Sequence, residues 1–274
     1  MSQHYLPPGS INNGRFLLGG DAAEHLSRAL RARPGDTIKV FDGAGGRFLA
    51  ELEAVGRSVS GRVTGPLPWS PPAFRTVICH ALAARAALEE TLRHATEAGA
   101  AEFRPFFSER AQAGRIRAAL PAVGAGVVGI ASDTCGGSAA VPSSATGRLD
   151  EEWERRRERY EGIILSAAEQ CERGDLPAVL PPAHFHELLE LPGRKLIGAP
   201  GKDAKPLTAI AAGLEKGAEV LVFIGPEGGF SPDELDLAKR KGAEFFTLGP
   251  TVLRAETAAA SAAAVLACAG ESLK

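Results

Sequence analysis

Glu219-Val220-Leu221-Val222-Phe223-Ile224-Gly225-Pro226-Glu227-Gly228-Gly229-Phe230-Ser231-Pro232-Asp233-Glu234 is the stretch whose reading decides the fold. Its first part is a continuous apolar, β-branched run, the pattern of a strand buried on both faces as in a parallel sheet. The run stops at a glycine-rich loop. A helix start follows, with Ser231 as N-cap, Pro232 at the first helical position and Glu234 as capping-box partner. Gly242 ends that helix. A second strand, Glu244 to Leu248, leads into the loop Gly249-Pro250-Thr251-Val252-Leu253-Arg254 and an alanine-rich helix from Glu256 to Cys268. Ligands of parallel α/β sheets bind beyond the carboxyl ends of the strands, so both loops are expected to meet at one crevice. Glycines there let a ligand reach backbone N–H and C=O groups. A phosphate-cradling loop is excluded, because Phe230 follows the glycines where Gly-Lys-Ser/Thr would be needed.

Outward from this stretch, the chain is long enough, at 274 residues, for two domains and a well-buried core. Its 31 Lys+Arg against 33 Asp+Glu exclude a protein that coats nucleic acid non-specifically. Any RNA affinity must come from a local basic patch. Cys79, Cys135, Cys171 and Cys268 are far apart, without Cys-x-x-Cys spacing, and read as reduced thiols. With no membrane-length apolar run, a cytoplasmic location is expected.

Residues 1–70 read as short strands and turns around a short helix, the pattern of a small β-barrel. Asp21-Ala22-Ala23-Glu24 is read as a capping box opening that helix, and Thr37–Phe41, Arg47–Val55 and Val59–Val63 as strands. Arg28, Arg31 and Arg33 make the helix and its following turn basic, for which a solvated face is the plainer reading. Pro66, Pro68, Pro71 and Pro72 mark a linker, and the second domain is placed at 73–274. There Thr76–Ala81, a helix over Ala86–Ala98 and Glu102–Phe107 give a β-α-β order that argues for a parallel sheet. Ser108-Glu109-Arg110 follows directly at a strand's carboxyl end.

Residues 118–149 read as an inserted loop. Within it Gly124-Ala125-Gly126-Val127-Val128-Gly129 matches G-x-G-x-x-G but has no strand before it and no helix after it, so a nicotinamide site is rejected. Asp150–Arg173 reads as a long helix laced with Arg155, Arg156, Arg157, Arg159 and glutamates. His184 and His186 lack a third ligand nearby, and no metal is expected.

Leu221 to Phe230 together with Leu248-Gly249-Pro250-Thr251-Val252-Leu253-Arg254-Ala255-Glu256-Thr257-Ala258 resembles the ribosomal small-subunit RNA methyltransferase E family of the SPOUT superfamily. The resemblance implies an α/β protein with an N-terminal PUA-like RNA-binding β-barrel and a C-terminal domain whose last helix is threaded into a trefoil knot. It also implies a homodimer, and only through it is the end of the long helix, Ala167–Cys171, expected at the crevice. The implied cofactor is S-adenosylmethionine, held by Ile224, Gly225, Pro226, Glu227, Gly228 and Gly229 of the first junction and by Leu248, Gly249, Val252, Leu253 and Thr257 of the second. The implied product is N3-methyluridine in 16S rRNA, as free RNA or within the small ribosomal subunit. Arg28, Arg31, Arg33, Arg85 and Arg110 are then RNA-binding candidates.

Methylating N3 of uridine requires an unpaired or flipped base and removal of its proton, without a metal. Arg254 is the candidate for charge stabilisation, and Glu256 or Glu227 for proton acceptor. The bland alternative is an ion pair between Arg254 and Glu256 across the loop. The chain departs from the family pattern at Thr251, at Ala83–Ala87, at His94 and at Ala111, where basic or polar residues are usual. An enzyme methylating another RNA position, such as a ribose 2′-hydroxyl, and a non-catalytic RNA-binding or ribosome-assembly protein are the competing readings.

Overall fold

The computed structural model describes residues 3–82, 85–111, 143–201 and 203–273. The N-terminal elements are β1 (Gln3–Tyr5), β2 (Arg15–Leu18), α1 (Gly20–Glu24), which continues as a π-helical turn over His25–Ala29, β3 (Thr37–Phe41), β4 (Arg47–Val55) and β5 (Val59–Pro66). They form one sheet in the order β1-β3-β4-β5-β2, antiparallel except where β1 joins β3. Alternate residues point inward. Ile38 and Val40, Ala50 and Leu52, and Phe16 and Leu18 thus enclose Ala23 and Leu26 of the helical segment. Gly61 is required, since a Cβ there would lie 2.5 Å from the Phe16 ring and 2.8 Å from the Glu51 carbonyl. Two expectations need correction. The chain enters α1 through Gly19 as N-cap, with Gly20 at φ +55°, so Asp21 sits inside the first turn and caps nothing. The third strand also runs past Val63 into the proline cluster.

The second set is β6 (Arg75–Ala81), α2 (Arg85–Glu97), β7 (Glu102–Phe107), α3 (Ser143–Gln170), β8 (Ala178–Val179), β9 (Ala183–His184), α4 (Phe185–Leu188), β10 (Arg194–Gly198), β11 (Lys205–Pro206), α5 (Leu207–Ala211), β12 (Glu219–Ile224), α6 (Pro232–Arg240), β13 (Glu244–Thr247) and α7 (Ala255–Glu271). The sheet order is β11-β13-β10-β12-β6-β7-β8, with β9 beside β7, and every pairing is parallel. Both faces are covered, which is why β12 is apolar throughout. Val220, Val222 and Ile224 face α2, α5 and α7, whereas Leu221 and Phe223 face α4 and α6. The alanines of α7 let it lie close against its neighbours: Ala259, Ala262 and Ala263 are buried, and a Cβ on Gly270 would come within 2.9 Å of Ala73 Cβ. No helix among the described residues is long and apolar enough to cross a membrane.

Part of the expected insertion, from Ser143 onward, is helical and belongs to α3. The Gly124–Gly129 motif lies outside the described residues. The end of α3 does not face the crevice; it docks on the N-terminal sheet. Gln3 Nε2 donates to the Arg173 carbonyl at 2.7 Å, the Tyr5 N–H donates to Glu169 Oε1 at 3.0 Å, and Lys39 Nζ reaches both Glu172 oxygens at 2.6 Å. Arg47 joins Glu172 at 3.3 Å, and Gly43 exchanges backbone contacts with Asp175 and Leu176. The salt-laced face of α3 is present, with Arg157 between Glu154 and Glu161 and Arg159 paired to Glu89.

His4, buried beside this seam, has its pKa lowered from 6.5 to about 4, first by burial and then by His25. The unfolded chain therefore binds more protons than the folded one between those values, so stability falls as pH drops across that window. Thermal unfolding followed from about pH 7 to about pH 4, the span in which the ring is charged in the unfolded chain but neutral in the folded one, should show a shallower decline for His4→Gln than for wild type. Identical slopes would contradict this.

Candidate active site at the carboxyl edge of the sheet

β12 ends at the buried Ile224, whose register partners are His80 on β6 and Gly198 on β10. The chain then turns through Gly225, where a Cβ would meet the Phe230 ring at 3.0 Å. Phe230 anchors the loop's far end by stacking on Phe106 (6.3 Å between centroids) and packing on Phe185 (5.5 Å). Between these anchors Pro226 is buried, Glu227 and Gly228 are exposed, and the Gly229 N–H closes the turn on the Pro226 carbonyl at 2.8 Å. Gly229 has φ +66°, which favours glycine, and a Cβ there would have no neighbour within 4 Å.

The second loop leaves β13 at Thr247, whose hydroxyl donates to the Gly249 carbonyl at 2.9 Å. Gly249 adopts φ +141° and also opens onto free space. Leu248 and Leu253 are half-buried, and Val252 is 87% exposed. Arg254 is the exposed N-cap residue of α7, and it makes no side-chain cap. Glu256 is half-buried in the first turn and Thr257 is exposed, so Thr257 does not cap the helix. Among the described residues no ion pair joins Arg254 to Glu256.

The two loops do not leave adjacent strands; β10 lies between β12 and β13. Its carboxyl end, Gly198-Ala199-Pro200-Gly201, therefore forms the middle of the edge. A Cβ on Gly198 would crowd the Phe246 ring at 3.2 Å and the Phe223 carbonyl at 3.3 Å. The rule that singled out the other two loops, glycine and proline closing an apolar strand, would have found this one as well.

Arg110 stands over the first loop: its Nη1 donates to the Gly228 carbonyl at 3.3 Å. Glu234 holds it there. Only 5% exposed, Glu234 closes the capping box, its N–H donating to Ser231 Oγ at 3.1 Å while its Oε2 accepts from the Ser231 N–H at 2.8 Å. The same carboxylate accepts from Ser108 Oγ at 3.2 Å and from the Glu109 N–H at 3.1 Å. One buried side chain thus ties the β7 and β12 loops together. Arg85 is the first residue of α2, which follows β6 at this edge. Arg28 in the π-helical turn and Arg31 and Arg33 in the loop after it lie in the N-terminal part, all exposed, with Arg28 paired to Glu24. His184 and His186 stack at 5.5 Å, and among the described residues no three His, Cys, Asp or Glu gather as a metal site would need.

Among the described residues the edge offers backbone donors and acceptors at three strand ends, the cations Arg110 and Arg254 and the carboxylates Glu227 and Glu256. Glu234→Ala would leave the Ser231 and Glu109 N–H groups and the Ser108 hydroxyl without their acceptor, at a cost of about 1–3 kcal/mol. A lowered melting temperature is expected, with Glu234→Gln intermediate; a melting temperature equal to wild type in the alanine variant would refute the clamp.

A family model described as an RNA methyltransferase domain matches residues 137–267, and one described as an RNA methyltransferase PUA domain matches 18–59. The chain is 29% identical to a ribosomal RNA small subunit methyltransferase E of Synechocystis over 262 residues, 92% of this chain and 72% of the relative. It is 25% identical to the Bacillus subtilis protein of that name, covering 89% and 86%. A putative methyltransferase from Legionella pneumophila, solved with bound SAM, superposes with a TM-score of 0.75 at 26% identity, covering 98% of this chain and 97% of that one. The glycine-bearing loops at one edge of a parallel sheet, beside a PUA-domain match, accord with these likenesses: over most of its length the chain is similar to ribosomal RNA small subunit methyltransferase E proteins, and it carries RNA methyltransferase and PUA domain matches.

Proposed function

We propose that the crevice binds S-adenosylmethionine and that the protein methylates N3 of a uridine in 16S rRNA. The observation that carries this is the triple strand-end edge, at which Gly229 and Gly249 leave backbone facing open space beside the exposed Arg254, which makes no side-chain cap. A flat, hydrogen-bonding nucleoside fits such a cradle, since it needs backbone partners and little side-chain bulk. The likeness to a SAM-bound structure supports the choice of cofactor. On this reading Ile224, Gly225, Pro226, Glu227, Gly228 and Gly229, with Leu248, Gly249, Val252, Leu253 and Thr257, surround the cofactor, and Gly198 and Ala199 complete the floor.

S-adenosylmethionine supplies a methyl group already activated on a sulfonium. The chain's own residues do the rest. Arg254 would neutralise charge that develops on the uracil as N3 loses its proton, and the Glu256 carboxylate would accept that proton. Arg110 and Arg85 at the crevice, with Arg28, Arg31 and Arg33 on the barrel, bind phosphates and present an unpaired or flipped base. The division into a barrel at 1–70 and a catalytic domain at 73–274 belongs to the same reading. So does the trefoil knot: α7 starts from the β13 loop and returns across the sheet to pack on α2, β6 and β12. A homodimer would cover Val252 and bring one subunit's barrel towards its partner's crevice.

The test is reaction with 16S rRNA and with small subunits, followed by digestion to nucleosides. N3-methyluridine is expected, and a 2′-O-methylated nucleoside or RNA retention without methyl transfer would overturn the proposal. Arg254→Ala should keep cofactor affinity and lose about a hundredfold in kcat, in line with loss of one transition-state charge contact; an unchanged kcat would remove Arg254 from its role.

A further inference from the structure

His80 is a polar residue that nothing above employs. It sits one residue before the end of β6, between Pro105 on β7 and Ile224 on β12, and is 1% exposed. Strand alternation places it with Ile78 and Leu82 on the face covered by α7, whose Ala255, Ala259 and Ala262 are buried in the same cluster. Among the described residues neither ring nitrogen has a hydrogen-bond partner. A neutral imidazole carries one donor and one acceptor, and buried groups of this kind are nearly always paired. Burial, the largest influence, lowers its pKa to about 4, so the ring is neutral at physiological pH. The Ala81 backbone opposes that shift without meeting hydrogen-bond geometry, and the carboxylates of Glu256 and then Glu227 oppose it through their charge. Of these two, Glu256 stands on the first turn of α7, on the ring's own side of the sheet, whereas Glu227 lies on an exposed loop.

We propose that His80 is a positioning residue for Glu256: with the crevice loaded, the half-buried carboxylate turns inward and accepts a hydrogen bond from the imidazole N–H, which fixes its other oxygen towards the uridine N3 proton. The inference rests on the methyl-transfer reading above. An uncharged donor suits this task, because it orients the carboxylate without placing a second cation opposite the sulfonium. The ring takes no proton in the reaction.

The experiment compares His80→Leu, which keeps bulk without a donor, with His80→Gln, whose amide keeps a donor and an acceptor, each also in a Glu256→Gln background. The leucine variant should lose at least about tenfold in kcat with the KM for RNA and the affinity for S-adenosylmethionine unchanged. The glutamine variant should recover most of that rate, and neither change should matter further once Glu256 is Gln. Wild-type kcat in His80→Leu, or an equal loss in the Glu256→Gln background, would overturn the proposal and leave His80 a packing residue. If the wild-type protein methylates no rRNA, the reaction reading has failed. The imidazole 15N resonances on adding S-adenosylmethionine then decide separately: a shift that Glu256→Gln abolishes supports the contact, and no shift overturns it.

Discussion

Parallel pairing of β12 with β6 on one side and β10 on the other is the constraint on which the rest depends. Parallel strands send every carboxyl end to one edge; their amide groups pair with the neighbouring strands, and the helical crossovers that parallel pairing requires cover both faces. That explains the unbroken apolar run from Val220 to Ile224 and places the loops after β10, β12 and β13 side by side. It also explains why the last helix is rich in alanine. α7 has to lie against α2 and α5 on a face already filled by Ile78, Val220 and Val222, and larger side chains would lift it away.

Two carboxylates carry the long-range organisation. Glu234 is written into the sequence as a helix cap, yet its second set of acceptor sites reaches the β7 loop and sets Arg110 over Gly228. Glu172, at φ +59° after the end of α3, gathers Lys39 and Arg47 from the N-terminal sheet, and the Lys39 hydrogen bond holds its carboxyl below the usual range. The first clamp orders the crevice, while the second orients the small sheet relative to the large one. Cation-bearing surfaces on both sheets are thereby kept in fixed relation, which an RNA ligand spanning the two would need.

Local chemistry made much of this legible. The capping box of α6, the turn at Gly242 and the strands on either side follow from residues within a few positions of one another, and the structure reproduces them. What escaped was non-local. The place of β10 between β12 and β13 depends on which strands pair, and periodicity carries no record of that. The docking of the α3 end on β1 depends on Gln3, Tyr5 and Glu169, more than 160 positions apart in the chain. Asp21 misled because glycines at 19 and 20 let the helix begin earlier than its polar signal. His80 looked like an ordinary member of an apolar strand, and only its orphaned nitrogens distinguish it.

The central claim is that glycine-bearing ends of β10, β12 and β13 form the S-adenosylmethionine site, and calorimetric titration of the cofactor into wild type and Gly229→Val tests it most directly. Valine at φ +66° strains the first loop and projects into the space assigned to the ligand, while the surrounding sheet keeps its contacts. Binding near one site per chain that the folded variant loses is the predicted result. Cofactor affinity unaltered by the valine, or no binding by either protein, would contradict the account.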